Sequence, residues 1–202
     1  MACGKSTLGK AFLCELPYRG SITFGGEELR DMDKNRRSSI FGYLGHDPEL
    51  LSASIRENIC MGDGHDPAPY LHAVRLDREV TEMEQGPDTL VGPEGHRLSG
   101  GQAQRLALAR TLYHKRPVLI LDDPFSALDK PTEAEIFREL RELAKGSIVL
   151  LISHRLYLFP QLDRVLWMEN GTVTAGTHEE LLQKVPAYRA LAADQEGGQN
   201  HA

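Results

Sequence analysis

No stretch of this chain approaches the ~20 consecutive apolar residues that cross a bilayer as a helix. Its longest apolar runs, 118–121 and 148–152, are strand-sized. No apolar leader stands at the N-terminus either: Met1-Ala2-Cys3 passes directly into Gly4-Lys5-Ser6, so no secretory signal is read there. If the protein serves transport, its membrane part is expected on another chain or on sequence outside these residues. Cysteine is scarce. Cys3, Cys14 and Cys60 make an odd set without metal-ligand spacing, which favours reduced thiols in the cytosol over a disulfide framework. Excess positive charge is missing too. A net charge of -6 argues against nucleic acid as the main partner, without excluding a local basic groove. No internal repeat is visible.

What is present is ordinary globular composition. Hydrophobic residues make up 41% and charged residues 26% of 202 residues, enough for one domain of one or two lobes. Such a length buries a core without metal or disulfide help. Strands alternate with helices, which predicts an α/β fold with a mainly parallel sheet. A helix is expected over 5–14 and strands over 21–24 and 39–44. The texture over 48–113 is helical, broken at Gly62-Asp63-Gly64 and at 92–95, and reads as a helical lobe inserted into the α/β core. That core comprises 1–47 and 114–193.

Val118-Leu119-Ile120-Leu121 is continuously apolar, as in a strand buried on both faces. After Pro131, Thr132 and Glu135 form a capping-box pattern ahead of the stripe Ile136, Phe137, Leu140 and Leu143, and Gly146 ends that helix. A second buried strand is expected over 147–152. Asn170-Gly171, flanked by 165–169 and 172–175, signals a hairpin. Two short helices follow, and the polar tail 194–202 reads as disordered.

Three motifs carry chemistry. Gly4-Lys5-Ser6-Thr7 matches the end of the phosphate-loop pattern G-x-x-x-x-G-K-[ST], of which 1–6 supply the last six positions. Backbone amides at a helix start favour phosphate, Lys5 can neutralise phosphate charge, and Ser6 can ligate Mg²⁺. Asp122-Asp123 ends the apolar strand, where α/β proteins bind ligands. The pair reads either as a Mg²⁺ ligand with a carboxylate beside an attacking water, or as a surface acidic pair. Leu98-Ser99-Gly100-Gly101-Gln102 holds a capping box and two glycines that let a ligand come close to a helix start. By itself it fits any well-capped helix equally well.

Taken in order, these segments resemble the ATP-binding cassette of ABC transporters along nearly the whole chain. Leu98-Ser99-Gly100-Gly101-Gln102 is similar to the family's signature motif. Asp122-Asp123-Pro124 with Ser126-Ala127-Leu128-Asp129 resembles its Walker B and D-loop, and Ser153-His154-Arg155 its switch-histidine loop. Gly171 and Gly176-Thr177-His178-Glu179-Glu180-Leu181 resemble the C-terminal stretch of exporter cassettes. Ser54-Ile55-Arg56-Glu57-Asn58-Ile59 resembles the exporter segment that meets the transmembrane domains.

The resemblance implies a RecA-like P-loop core, ATP and Mg²⁺ as ligands, and a site at the cytoplasmic face of the membrane. Cys3, Gly4, Lys5, Ser6 and Thr7 are then expected to hold this chain's ATP, and Ser6 and Asp122 the metal. Asp123 is expected beside the attacking water, and His154 at the γ-phosphate. In the family two cassettes face head to tail. Ser99, Gly100, Gly101 and Gln102 would therefore touch a partner's ATP, while Asp129 links the two sites. The implied partners are a second cassette and transmembrane domains, with no nucleic acid.

The sequence departs from the family in three places. In Phe41-Gly42-Tyr43-Leu44-Gly45-His46-Asp47-Pro48, His46 stands where the Q-loop glutamine is usual, and its imidazole, which can still ligate or donate, inherits that residue's catalytic and metal roles. Asp123 replaces the usual glutamate. The first part of the phosphate loop and the strands before it lie outside the sequence, either by truncation or a miscalled start, or as a natural shortening. A weak own site with an intact signature suggests one half of a heterodimeric exporter. The other readings are a soluble ABC-type ATPase and an inert cassette fragment.

Overall fold

The computed structural model describes residues 4–92 and 97–197. Helix α1 (Lys5–Phe12) starts at Gly4, whose φ of +88° is a left-handed conformation that glycine adopts without strain. Strands β1 (Thr23–Phe24) and β2 (Glu27–Glu28) form an antiparallel hairpin. Gly25 and Gly26 turn it with φ of +61° and +86°, as a two-residue hairpin demands. Helix α2 (Lys34–Ile40) is capped by Asp33, which accepts from the Arg36 amide, and β3 follows at Phe41–Leu44. Ser39 and Ile40, expected in the strand, are thus the last turn of a helix. The strand begins only at Phe41, where pairing with Val118 begins.

The central stretch holds β4 (Ala53–Ser54), α3 (Ile55–Cys60), α4 (Ala68–Ala73), α5 (Asp77–Thr81), β5 (Leu90–Val91) and α6 (Gly100–Tyr113). It is mainly helical, but β4 and β5 pair antiparallel within it. The expected break at Gly62-Asp63-Gly64 lies outside any helix. Of the expected loop at 92–95 only Gly92 is among the described residues. The remaining elements are β6 (Val118–Asp122), α7 (Lys130–Leu143), β7 (Ile148–Ile152), β8 (Val165–Glu169), β9 (Thr172–Gly176), α8 (His178–Lys184) and α9 (Pro186–Gly197).

The main sheet is parallel throughout, in the order β3-β6-β7. In the middle position, β6 has Leu119, Ile120 and Leu121 fully buried. By contrast β7 lies at the sheet edge, with Ile148 65% and Val149 37% exposed. The expectation of a buried second strand fails there, because among the described residues β7 pairs with β6 alone. The start of α7 also differs from expectation. Asp129, not Thr132, is its N-cap, and it accepts from the Thr132 amide at 2.9 Å. A carboxylate at the position just before the helix reaches the free amide of its third residue, whereas the Thr132 hydroxyl already stands inside the helix. Asn170-Gly171 turns the β8–β9 hairpin as expected. Residues 194–197, expected in a disordered tail, are the last turn of α9, whose face carries the buried Tyr188 and Ala192. The rest of that tail lies outside the described residues.

Beside a smaller hydrophobic cluster that gathers Leu29, Met32 and Ile40, a larger one joins most of the elements. Ile55, Ile59, Leu71 and Val74 from the central stretch share it with Leu106, Leu121, Ile136 and Tyr188. The helical lobe is therefore fused to the α/β part through α6, not set apart from it.

Candidate functional site

The carboxyl ends of β6 and β7 place the first cluster. In register, Asp122 sits opposite Ile152, so Asp122-Asp123 and the segment 153–155 leave the sheet side by side. Asp122 is 5% exposed. Helix α1 packs against these strands at its glycine: a Cβ on Gly9 would meet Ile120 and Ile152 at 3.4 and 3.5 Å. That close approach keeps the Gly4–Thr7 turn on the same sheet that carries Asp122. Cys3 lies outside the described residues.

Asp123 bends the chain away from the sheet. Its φ is +51°, a conformation aspartate tolerates better than most residues, and its amide donates to the Ile152 carbonyl at 2.8 Å. Its Oδ2 has two imidazoles near it: His154 Nδ1 at 3.5 Å and His46 Nδ1 at 4.0 Å. Its Oδ1 is buried without a partner, an unmet acceptor that costs about 1–3 kcal/mol until something donates to it. Both imidazoles are largely exposed. Thus three residues distant in sequence, His46, Asp123 and His154, meet at one point. Burial and then the Asp122 charge raise the pKa of Tyr43, which keeps a neutral phenol beside the buried carboxylate.

The segment around His46 is held from behind by α6. Gln104 is buried and donates to the Gly45 carbonyl at 3.5 Å, and Arg110 donates to the Glu49 carbonyl at 2.7 Å. Arg155 braces the His154 loop. Its guanidinium donates to the Ser126 and Leu128 carbonyls, each at 3.1 Å, and pairs with Glu133, which is fully buried. Burial opposes the Arg155 charge, but the Glu133 carboxylate outweighs it and raises the pKa.

The second cluster lies at the start of α6. Ser99 Oγ accepts from the Gln102 amide at 3.2 Å, and Gln102 Oε1 accepts from the Ser99 amide at 2.8 Å, which completes a capping box. Glu79 on α5 ties this turn down. It accepts from Gln102 Nε2 at 2.7 Å and pairs with Arg105 at 2.7 Å. Gly101 lies so close to the 126–129 turn that a Cβ on it would stand 3.3 Å from the Ala127 carbonyl. An open cavity of about 460 Å³ results, lined by Ser99, Gly101, Arg105, Asp129 and Thr132 among others. The Thr132 amide and hydroxyl hold the Asp129 carboxylate below its usual pKa. Residues 4–7 do not line this cavity, so the structure groups Ser99 and Gly101 with Asp129 and not with the phosphate loop.

Sequence reading missed Glu79, Arg105, Glu133 and Gln195 as supports, because each reaches its partner across 22 or more positions. Arg155 could have been noticed as the neighbour of His154. Among the described residues no group of three His, Cys, Asp or Glu side chains is arranged to hold a metal ion. No described helix is long and apolar enough to cross a membrane.

Comparison with known proteins places the chain in a family. The sequence model of the ABC transporter family matches residues 2–126. A probable multidrug resistance ABC transporter ATP-binding/permease protein of Bacillus subtilis, YheI, is 36% identical over 192 residues, 92% of this chain and 33% of its own length. An ATP-dependent lipid A-core flippase of Burkholderia orbicola is 38% identical over 93% of this chain and 33% of its own. A bacterial Atm1-family ABC exporter with ATP bound superposes with a TM-score of 0.89 at 31% identity, covering 96% of this chain and 35% of that one. The chain spans about a third of the length of these relatives.

Proposed function

Because the chain belongs to the ABC transporter family, we propose that it is the ATP-hydrolysing cassette of an exporter, working at the cytoplasmic face of a membrane with transmembrane domains. The observation that carries this reading is the meeting of Asp123 and His154 at 3.5 Å beside the carboxyl ends of β6 and β7. The exporter relatives and the ATP-bound neighbour support it.

Gly4, Lys5, Ser6 and Thr7 cradle the phosphates at the start of α1, with Cys3 contributing to the same loop. The hard oxygen donors Ser6 and Asp122 fit Mg²⁺, which neutralises phosphate charge when bound. The His46 nitrogen is a softer donor than that ion prefers, so we assign His46 to Asp123. The Asp123 carboxylate, with its unmet Oδ1, orients the attacking water and accepts its proton. His154 donates to the terminal phosphate. Ser99, Gly100, Gly101 and Gln102 face the ATP of a second cassette; Ser99 and Gly101 share their cavity wall with Asp129.

The second cassette is a different chain with a glutamate at the place of Asp123. Aspartate is one methylene shorter, a shortfall of ~1.5 Å, and about 1 Å of misplacement can cost on the order of 100-fold in rate. The site at this chain's phosphate loop therefore holds ATP long and cleaves it slowly, while the closed turn at 99–102 serves the faster partner site. In the full-length complex, Asp123→Asn should change steady-state turnover less than twofold, and removing the partner's glutamate should nearly abolish it. If Asp123→Asn alone stops hydrolysis, the asymmetric assignment is wrong.

A further inference from the structure

We infer that Gln195, near the C-terminal end of α9, is a positioning residue for His154. The inference rests on the reading of His154 as the group that meets the terminal phosphate. Helix α9 is anchored two turns earlier. Tyr188 is fully buried, its hydroxyl lies 2.7 Å from His178 Nδ1, and its ring stands edge-on to Trp167 at 5.4 Å. Ala192 is 7% exposed. Positions 188, 192 and 195 follow helical spacing, so they share one face. Gln195 therefore leaves α9 on the side already fastened to the core.

Its amide makes two bonds to one short stretch of backbone. Nε2 donates to the His154 carbonyl at 2.6 Å, and Oε1 accepts from the Leu156 amide at 2.9 Å. These bonds bracket Arg155, whose side chain is held on Glu133, Ser126 and Leu128. The Ser153 hydroxyl accepts from the Arg155 amide at 3.0 Å. Backbone and side chain of the loop are thus fastened from different directions. The His154 imidazole needs this, because it is 65% exposed and has Asp123 near it only at 3.5 Å. An exposed ring on an untethered loop samples several rotamers. On this loop, with its residue's own carbonyl clamped, it starts from a fixed Cα. Helix α9, remote in sequence from every motif of the site, thereby sets where the switch histidine stands.

The test uses the full-length protein with its partner chain. Gln195→Met keeps length and helix propensity but removes both bonds. Hydrogen exchange of the peptide covering 153–157 should quicken about tenfold. Single-turnover cleavage of ATP held at this chain's phosphate loop should slow about five- to tenfold, with ATP affinity unchanged. In a His154→Ala background, Gln195→Met should add nothing to the rate, because it acts through that histidine. If Gln195→Met fails to fold, Gln195→Glu serves instead. It keeps the acceptor for the Leu156 amide and sets a carboxylate against the His154 carbonyl, and the same slowing is expected. Unchanged exchange, or equal slowing with and without His154, overturns the inference. Normal cleavage in His154→Ala alone overturns the reading of His154 beneath it, which faster exchange in Gln195→Met would distinguish.

Discussion

The turn at 99–102 and the turn at Asp123 are built in opposite ways. The first closes on itself: Ser99 and Gln102 satisfy each other, and Glu79 and Arg105 lock the result onto α5. The second is open. Asp123 holds a left-handed backbone, one oxygen lacks a partner, and two exposed histidines stand no nearer than 3.5 Å. A turn that satisfies its own polar groups is ordered before anything binds. A turn with an unmet acceptor and loose imidazoles gains its order from the ligand. On the function proposed above, the rigid half is the surface offered to a second cassette, and the loose half serves the chain's own nucleotide.

The strongest way to break that contrast is to cut the support behind the loose half. Glu133→Ala leaves the partly buried Arg155 without its counter-ion, and breaking such a pair costs about 3–5 kcal/mol. A lowered thermal midpoint for cassette unfolding in the full-length protein is expected, with faster hydrogen exchange across 126–129 and 153–157. If only α7 loosens, the Arg155 brace does not hold the His154 loop.

Next comes Lys5→Ala. Losing one hydrogen bond to a charged group costs about 1.5–3 kcal/mol, so ATP affinity at this chain's loop should fall roughly 10- to 100-fold. Equal affinity in the variant would sink the phosphate-loop assignment.

Ser99→Ala sharpens the comparison from the other side. It removes the cap of α6 at a cost of about 1 kcal/mol. ATP affinity at this chain's own loop should stay as it is, while turnover at the partner's site slows. Weaker binding at Lys5 in this variant would mean that the two turns serve one nucleotide.

The smallest effect is expected away from both turns. Hydrogen bonds from Ser21 and Tyr18 hold the Glu28 carboxyl at about 2 instead of 4.5. A depressed carboxyl stabilises the fold above its unfolded value, and that contribution is lost as pH falls from about 4.5 toward 2. Acid titration of Glu28→Gln should therefore lack one small destabilising step in that window and leave ATP binding at neutral pH unchanged.

Much of this was legible in the chain. Val118-Leu119-Ile120-Leu121-Asp122 announces a central strand ending in a carboxylate, because a strand buried on both faces reads as a continuous apolar run. Ser99 with Gln102 announces a cap, and Asn170-Gly171 a hairpin, because those bonds close within a few residues. Local rules misled at Thr132, where Asp129 was the better acceptor, and at 148–149, where sheet order left an apolar strand at an edge.

What the tertiary structure alone decided is which distant residues meet. Nothing in sequence spacing places His46 beside Asp123, Glu79 under Gln102, Glu133 against Arg155, or Gln195 on the backbone of the His154 loop. Each contact joins elements brought together by the packing of the larger core, to which α6 and β6 both contribute. Periodicity and capping are short-range signals carried by neighbours along the chain. Contacts between elements depend on strand order and helix placement, which the burial of the whole apolar surface determines at once.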